Sequence, residues 1–380
     1  MRIVFNEIKK IFNFKMVIMI MFISLIMYYL FISNNSIYSL GGEEYYKTNV
    51  QMVKDYGNSM DREEFLNFKQ VYNNRIEDAN RYLQSKPELV SAGIGTYEKF
   101  NDMSTIITDD KLMKLRAKVF DDNADTFFEL ETRNSIIIDY ERIEGSVGRN
   151  DAKLNKIQLE RYSEVVENES ITSILPYYVF ENYSRSIKSA FILIVFSIIF
   201  MISPIFIKDS TNKINHLQYT SKTGRKTFKT KVYASLISSF IIISINFICF
   251  FIFYSRYKAG IFLSSSINSI FNLWYLSWFN ISFIQYIALT VLAIYVLGFV
   301  ITLIVTFISR IAPNYMTLIG VLVPITFIGI FISNNFLLNR LTVVSVPKYF
   351  LLIAYSILVL IGLMLIVIRW KKEKMVDIID

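Results

Sequence analysis

Residues Phe283 to Ser309 read FIQYIALTVLAIYVLGFVITLIVTFIS, 27 positions without one Asp, Glu, Lys or Arg. Coiled as an α-helix at about 1.5 Å per residue, this stretch crosses a hydrocarbon layer of about 30 Å with length to spare. In such a layer every backbone N–H and C=O must find its partner inside the protein, which leaves helices and closed barrels as spanning structures. Five further uncharged apolar stretches accompany it, at 16–33, 189–207, 232–254, 315–333 and 349–368. The chain therefore reads as an all-α polytopic membrane protein with six transmembrane helices.

Lys and Arg near the ends of spans mark the side that stays in the cytoplasm. Residues 1–15 carry Arg2, Lys9, Lys10 and Lys15, the loop 208–231 carries seven cations, Arg310 stands alone in its turn, and the tail 369–380 adds Arg369, Lys371, Lys372 and Lys374. The short loops of the opposite side hold only Arg256, Lys258, Arg340 and Lys348. Both termini are thus expected in the cytoplasm of a cell, by composition a bacterial one, and residues 34–188 outside. Between Asn34 and Ile187 it has 27 acidic and 19 basic residues in a chain whose net charge is +8, so acidity and basicity fall on opposite sides. The first apolar stretch leads into Asn34-Asn35-Ser36-Ile37-Tyr38 with no small-x-small cleavage pattern, and a retained anchor is expected. Cys249 is the only cysteine and lies within a span, so the outer domain has to hold together by packing.

The outer domain reads as mainly helical. Phe65, Phe68, Tyr72, Ile76, Ala79 and Leu83 recur every three or four residues, one stripe of a helix between Asp61 and Lys86 that Pro87 ends. Further helices are expected at Asp110 to Phe120 and through Leu154, Ile157, Tyr162 and Val165, with a short strand at Ile136-Ile137-Ile138. Residues 259–282 are dense in aromatics, among them Phe271, Trp274, Tyr275, Trp278 and Phe279, and read as an outer interfacial or re-entrant segment. Pro204, Pro313 and Pro324 mark expected kinks.

Chemistry-bearing patterns are scarce. His216 is the sole histidine, no phosphate-cradling G-x-x-x-x-G-K-[ST] loop occurs, and neither a metal site, a cofactor nor a catalytic centre is expected in this chain. Nucleic acid is not an expected partner, since the basic loops border the membrane. The spans contain no ionisable side chain of the kind ion-coupled transporters use, so energy for uphill movement would have to come from another chain.

The loop 208–231 is where such a chain could dock. Asp209 or Ser210 can cap a short helix, Ile214, Leu217 and Tyr219 give it a small apolar surface, and Gly224 breaks it before Arg225. With Thr220-Ser221, Gly224-Arg225 and the downstream Lys231, this loop resembles that of the permease subunits of ABC-2 type exporters, in which a Thr-Ser or Ser-Thr pair precedes a Gly-Arg pair and a lysine. Asp209 supplies the acidic residue that opens the helix in that family, without the glycine that usually follows it. The resemblance implies that Ile214, Leu217, Tyr219, Thr220, Ser221, Gly224, Arg225 and Lys231 couple this chain to a separate cytoplasmic ATPase.

Residues 1–15 support the same comparison. Val4, Phe5, Ile8, Ile11 and Phe12 fall on one helical face and Asn6, Glu7, Lys9, Lys10 and Asn13 on the other, which suits a helix lying flat in the inner interface. It resembles the elbow helix of those exporters, with Phe5, Ile8 and Phe12 as its apolar contacts. The resemblance implies a permease that pairs with an identical or related second permease and with ATPase subunits that bind ATP and Mg. It implies outward movement of a peptide, a lipid-like molecule or another amphipathic substrate. The alternative expectation is a sensor in which the ATPase drives motion of the outer domain without transport.

Overall fold

A computed structural model of the 380-residue chain describes residues 2–31, 42–102, 110–145, 155–167, 171–211, 226–269 and 275–375. Two α-helices come first, α1 (Arg2–Ile11) and α2 (Phe14–Phe31). Six follow before the long apolar runs resume: α3 (Gly42–Tyr56), α4 (Arg62–Gln84), α5 (Pro87–Ser91), α6 (Tyr97–Asp102), α7 (Asp110–Gly145) and α8 (Lys156–Glu167). The remainder is α9 (Tyr177–Ile202), α10 (Pro204–Thr211), α11 (Thr227–Tyr254), α12 (Phe283–Ile311), α13 (Tyr315–Ile332) and α14 (Phe350–Met375). Among the described residues there is no strand, only isolated β-bridges.

Five helical segments are long and apolar enough to cross a membrane: Tyr177–Thr211, Thr227–Tyr257, Phe283–Ile311, Tyr315–Leu337 and Phe350–Lys374. The first apolar stretch forms the shorter α2, of 18 residues. The chain divides into two units, one of Met1–Ser36, Glu181–Lys258 and Ile284–Asp380, the other of Ile37–Phe180 and Ala259–Phe283.

In the first unit the segment containing α9 is the inner helix, with 61% of its apolar window buried against 17% and 11% for those of α13 and α14. The small residue Gly298 lets α12 approach its neighbours, since a Cβ there would sit 2.6 Å from Cδ1 of Ile243 and 3.3 Å from Cδ1 of Ile198. Close approach through small residues is how helices associate where lipid is as apolar as leucine. Farther along the same helices lies a buried tyrosine group: Tyr183 meets Tyr254 and Tyr286 edge to face, at 5.5 and 6.2 Å between centroids, and its hydroxyl is hydrogen-bonded with Thr290. Pro204 lacks an N–H and separates α9 from α10. Ser309 bridges that break, its hydroxyl donating to Ser203 O at 2.5 Å and accepting from the Phe206 N–H at 3.3 Å. Pro313 falls in the turn before α13, and Pro324 lies inside α13.

The second unit is helical, as its periodicity predicts. A capping box opens α4, with the Asp61 carboxylate accepting from Glu64 N–H and the Glu64 carboxylate from Asp61 N–H. The Phe65 ring stacks on Tyr140 at 3.8 Å, while Ala79, Leu83, Leu89, Tyr97, Phe100 and Phe127 share one core. The stripe on α4 is therefore core and not an open groove. Helix α7 runs 36 residues, well past Phe120, and Ile136-Ile137-Ile138 lie inside it instead of forming a strand. Packing against α3 and α4 outweighs both the β-propensity of three isoleucines and the loop-like run at 121–125. Leu154 lies outside the described residues.

Residues 259–282, expected as an outer interfacial or re-entrant segment, form no α-helix among their described residues. The described part holds a short 3-10 turn, Ala259–Phe262, and irregular backbone that belongs to the same unit as 37–180. Its polar groups are met by side chains: Arg161 donates to Ser277 O at 3.2 Å and Asn280 Oδ1 at 2.5 Å, and Ser269 donates to Ser173 O at 2.7 Å. Trp278 is buried at 9% exposure, so it serves packing. Phe271 and Trp274 lie outside the described residues.

Phe127 is wholly buried and touches the rings of Tyr82, Tyr97, Phe100 and Phe120. Replacing it with alanine removes ring contacts and leaves a cavity, so Phe127→Ala should cost about 3–5 kcal/mol. Limited proteolysis of the full chain in detergent should then show faster cleavage within 62–145, and an unchanged cleavage rate would contradict this core.

Candidate functional site: an ion cluster at the root of the basic loop

The loop that the sequence singles out leaves α10 and enters α11. Ile214, Leu217, Tyr219, Thr220, Ser221, Gly224 and Arg225, like His216, lie outside the described residues. Its two roots are described, and they are tied together by charge. The Lys231 ammonium, in the second turn of α11 and 1% exposed, lies 2.6 Å from Asp209 Oδ2 at the end of α10. It also donates to Ile205 O at 2.9 Å and stands 4.7 Å from the centre of the Phe206 ring. A buried ammonium needs this many partners, because leaving water costs several kcal/mol per ion before any are gained.

Helix α1 brings a second pair to the same place. It packs against α10 and α11, burying Glu7 and Ile11. Lys10 Nζ lies 2.7 Å from Glu7 Oε1 and 3.8 Å from Asp209 Oδ2. Partial burial works against the Lys10 charge, and the hydrogen bond and field of Glu7 together with Asp209 outweigh it, holding the ammonium above its ordinary range. Glu7 Oε2 is buried and accepts no hydrogen bond among the described residues. The cluster is thus two carboxylates and two ammoniums, formally neutral, drawn from α1, α10 and α11.

A third group adjoins it through Phe206. Arg310 stands 5.8 Å from that ring, while its Nε lies 2.8 Å from Glu373 Oε1 and its Nη2 donates to Glu373 Oε2 at 3.0 Å. Arg369 Nη2 reaches Glu373 Oε1 at 2.8 Å. Phe206 therefore has two cations at its faces or edges, one from α11 and one from α12, and α14 reaches the second through Glu373.

Of the residues the sequence proposes, Lys231 is the one that joins this cluster. Phe5 is 57% exposed with Lys9 Nζ 4.8 Å from its ring centre, and Ile8 and Phe12 are half-buried. Glu7, assigned by periodicity to the polar, water-facing side of α1, is buried instead, because its carboxylate is where Lys10 finds its partner. Glu7, Phe206, Arg310 and Glu373 escape a search for motifs, yet a signal exists. Residues 1–15 hold one acid, Glu7, the loop 208–231 holds one, Asp209, and each is buried and ion-paired.

Within the same unit a cleft of about 610 Å³ opens between α2, α9 and α11, lined by Val17, Met21, Leu193, Ile245, Asn246 and Cys249 among others. Its walls are apolar, suited to a chain of methylenes and unsuited to an ion. Among the described residues no group of three His, Cys, Asp or Glu side chains is placed to hold a metal. No protein-family model, curated protein or solved structure matches the chain.

Removing one member of a buried pair strands the other, whereas replacing both with apolar groups of similar volume is often neutral. Lys231→Met should accordingly lower stability by about 3–5 kcal/mol. Lys231→Met combined with Asp209→Leu should recover most of that loss, read as the thermal midpoint of the detergent-solubilised chain. Additive losses in the double variant would show that the two side chains are not coupled.

Proposed function

We propose that this chain is the six-span permease subunit of an ATP-driven ABC exporter, resident in the cell membrane with both termini in the cytoplasm. The observation that carries the reading is the convergence of α1 and both roots of the 212–225 loop on one buried ion cluster. In this reading α1 is the elbow helix and the loop carries the helix that an ATPase subunit grips. Movement imposed on the loop cannot be absorbed locally, because Asp209 and Lys231 bind its two ends to each other and to α1. It passes instead into α9 through α10 and into α11 directly.

ATP and Mg are held by the partner ATPase, and this chain contributes no nucleotide site. A second permease, identical or related, completes the pathway, and the cargo is a peptide, a lipid-like molecule or another amphipathic substrate. Support for an apolar portion in that cargo comes from the cleft between α2, α9 and α11.

Purification from the native membrane in mild detergent should recover an ATPase in stoichiometric amount with the wild-type chain. Tyr219→Ala with Arg225→Glu should lose it while leaving the thermal midpoint unchanged. Recovery of the ATPase in undiminished amount with the variant, or of none with the wild type, would end the exporter reading. If the ATPase is held and no candidate cargo moves in vesicles, the machine transmits motion to the outer domain without transport.

A further inference from the structure

Not every cation at the basic end of the first unit is neutralised. Lys10, Lys231, Arg310 and Arg369 each have a carboxylate partner, whereas none of the described residues pairs with Lys226, Lys229, Lys371, Lys372 or Lys374. Two of these five converge on a single indole. Lys229 Nζ, from the first turn of α11, lies 3.8 Å from the Trp370 ring centre, and Lys374 Nζ, one turn beyond Trp370 on α14, lies 4.1 Å from it. The nearest carboxylate on α14, Glu373, is held by Arg310 and Arg369.

Two ammoniums each within 4.1 Å of one ring centre stand at most twice that distance apart. The indole attracts each of them, and they repel each other. A phosphate resolves the conflict, since its oxygens accept from ammoniums at about 2.8 Å and a single group reaches both sides of such a gap. Depth identifies where the phosphate comes from. Lys229 and Trp370 stand at the ends of segments long and apolar enough to cross a membrane, where Ile368-Arg369-Trp370-Lys371-Lys372 replaces hydrocarbon by charge. Tryptophan prefers the headgroup level, and lipid phosphates are concentrated there. The half-buried Trp370 with exposed Lys226, Lys371 and Lys372 beside it adds positive charge that no zwitterionic headgroup would neutralise.

We infer that Lys229, Trp370 and Lys374 form a binding site for the headgroup of an anionic phospholipid, with Lys226, Lys371 and Lys372 as its basic surround. The site rests on α11 and α14 crossing a bilayer and is independent of the ATPase. Each lysine near an anionic surface contributes about 1 kcal/mol, roughly a five-fold change in association.

The test uses the full chain carrying Trp274→Phe and Trp278→Phe, which leaves Trp370 as its only tryptophan. It is placed in phosphatidylcholine nanodiscs doped with either phosphatidylglycerol or phosphatidylcholine bearing a quencher high on the acyl chain. Quenching of Trp370 should favour phosphatidylglycerol at least five-fold, and Lys229→Gln with Lys374→Gln should bring the ratio near one without moving the thermal midpoint. Inorganic phosphate at millimolar concentration should leave the preference intact. Equal quenching by the two lipids, or a preference that survives the double variant, would overturn the site. Displacement by inorganic phosphate would show it to bind free anions. Loss of the co-purifying ATPase in the double variant, without any lipid preference in the parent, would assign the patch to protein contact. Failure of the chain to enter nanodiscs at all would overturn the membrane reading along with the site.

Discussion

A lysine buried to 1% exposure cannot stand alone, and much of the basic end of the first unit is arranged around that fact. Lys231 draws Asp209 to 2.6 Å, which closes the two ends of a loop whose roots are 22 residues apart in sequence. It takes the carbonyl of Ile205, in the first turn of α10, as a second acceptor. Asp209 in turn lies near Lys10, so α1 is fixed against α10 and α11 by the same charges.

Stability alone does not explain why the cluster is ionic. A buried pair offsets its own desolvation only when geometry is good, and well-packed apolar residues commonly do as well or better. An ionic joint has a different property: it holds one register strongly and can exchange partners without creating a cavity. Glu7 Oε2, buried and without a hydrogen bond among the described residues, is an acceptor in reserve at this joint. In a permease driven from the cytoplasm, a joint of this kind would let α1 and the loop roots shift between partners while staying neutral overall. An apolar contact in the same position would either hold or open a void.

How much of this the sequence discloses depends on the range of the interaction. Five of the six apolar stretches are legible as long helices because apolar length is a local property, and the stripe of α4 is legible because its period is local too. The length of α7 is not, since 121–125 looks like a loop and Ile136-Ile137-Ile138 like a strand until α3 and α4 are packed against them. The packing of residues 259–282 is hidden from the sequence for a related reason. Aromatic density suggests an interface with lipid, whereas Trp278 is enclosed by its own unit, Arg161 donates to Ser277 O and Ser269 donates to Ser173 O, pairs more than 90 residues apart along the chain. Lys231 could be named from a motif, but Glu7, which joins the cluster through Lys10, could not, because periodicity puts Glu7 on the wet face of α1.

The lone acids are the instructive case. A carboxylate in a segment that otherwise carries only positive charge is surrounded by potential partners, so the cost of burying it is smaller there than elsewhere in the chain. Glu7 and Asp209 are the single acids of their segments, and Glu373 is the one described acid of the tail; all three are buried within ion clusters. Positive charge concentrated in these segments thereby creates the sites at which acids can go inside, and those acids decide which helices are tied together. The cations left over when the acids have been used, Lys229 and Lys374 among them, are the ones free to meet charge that does not belong to the chain.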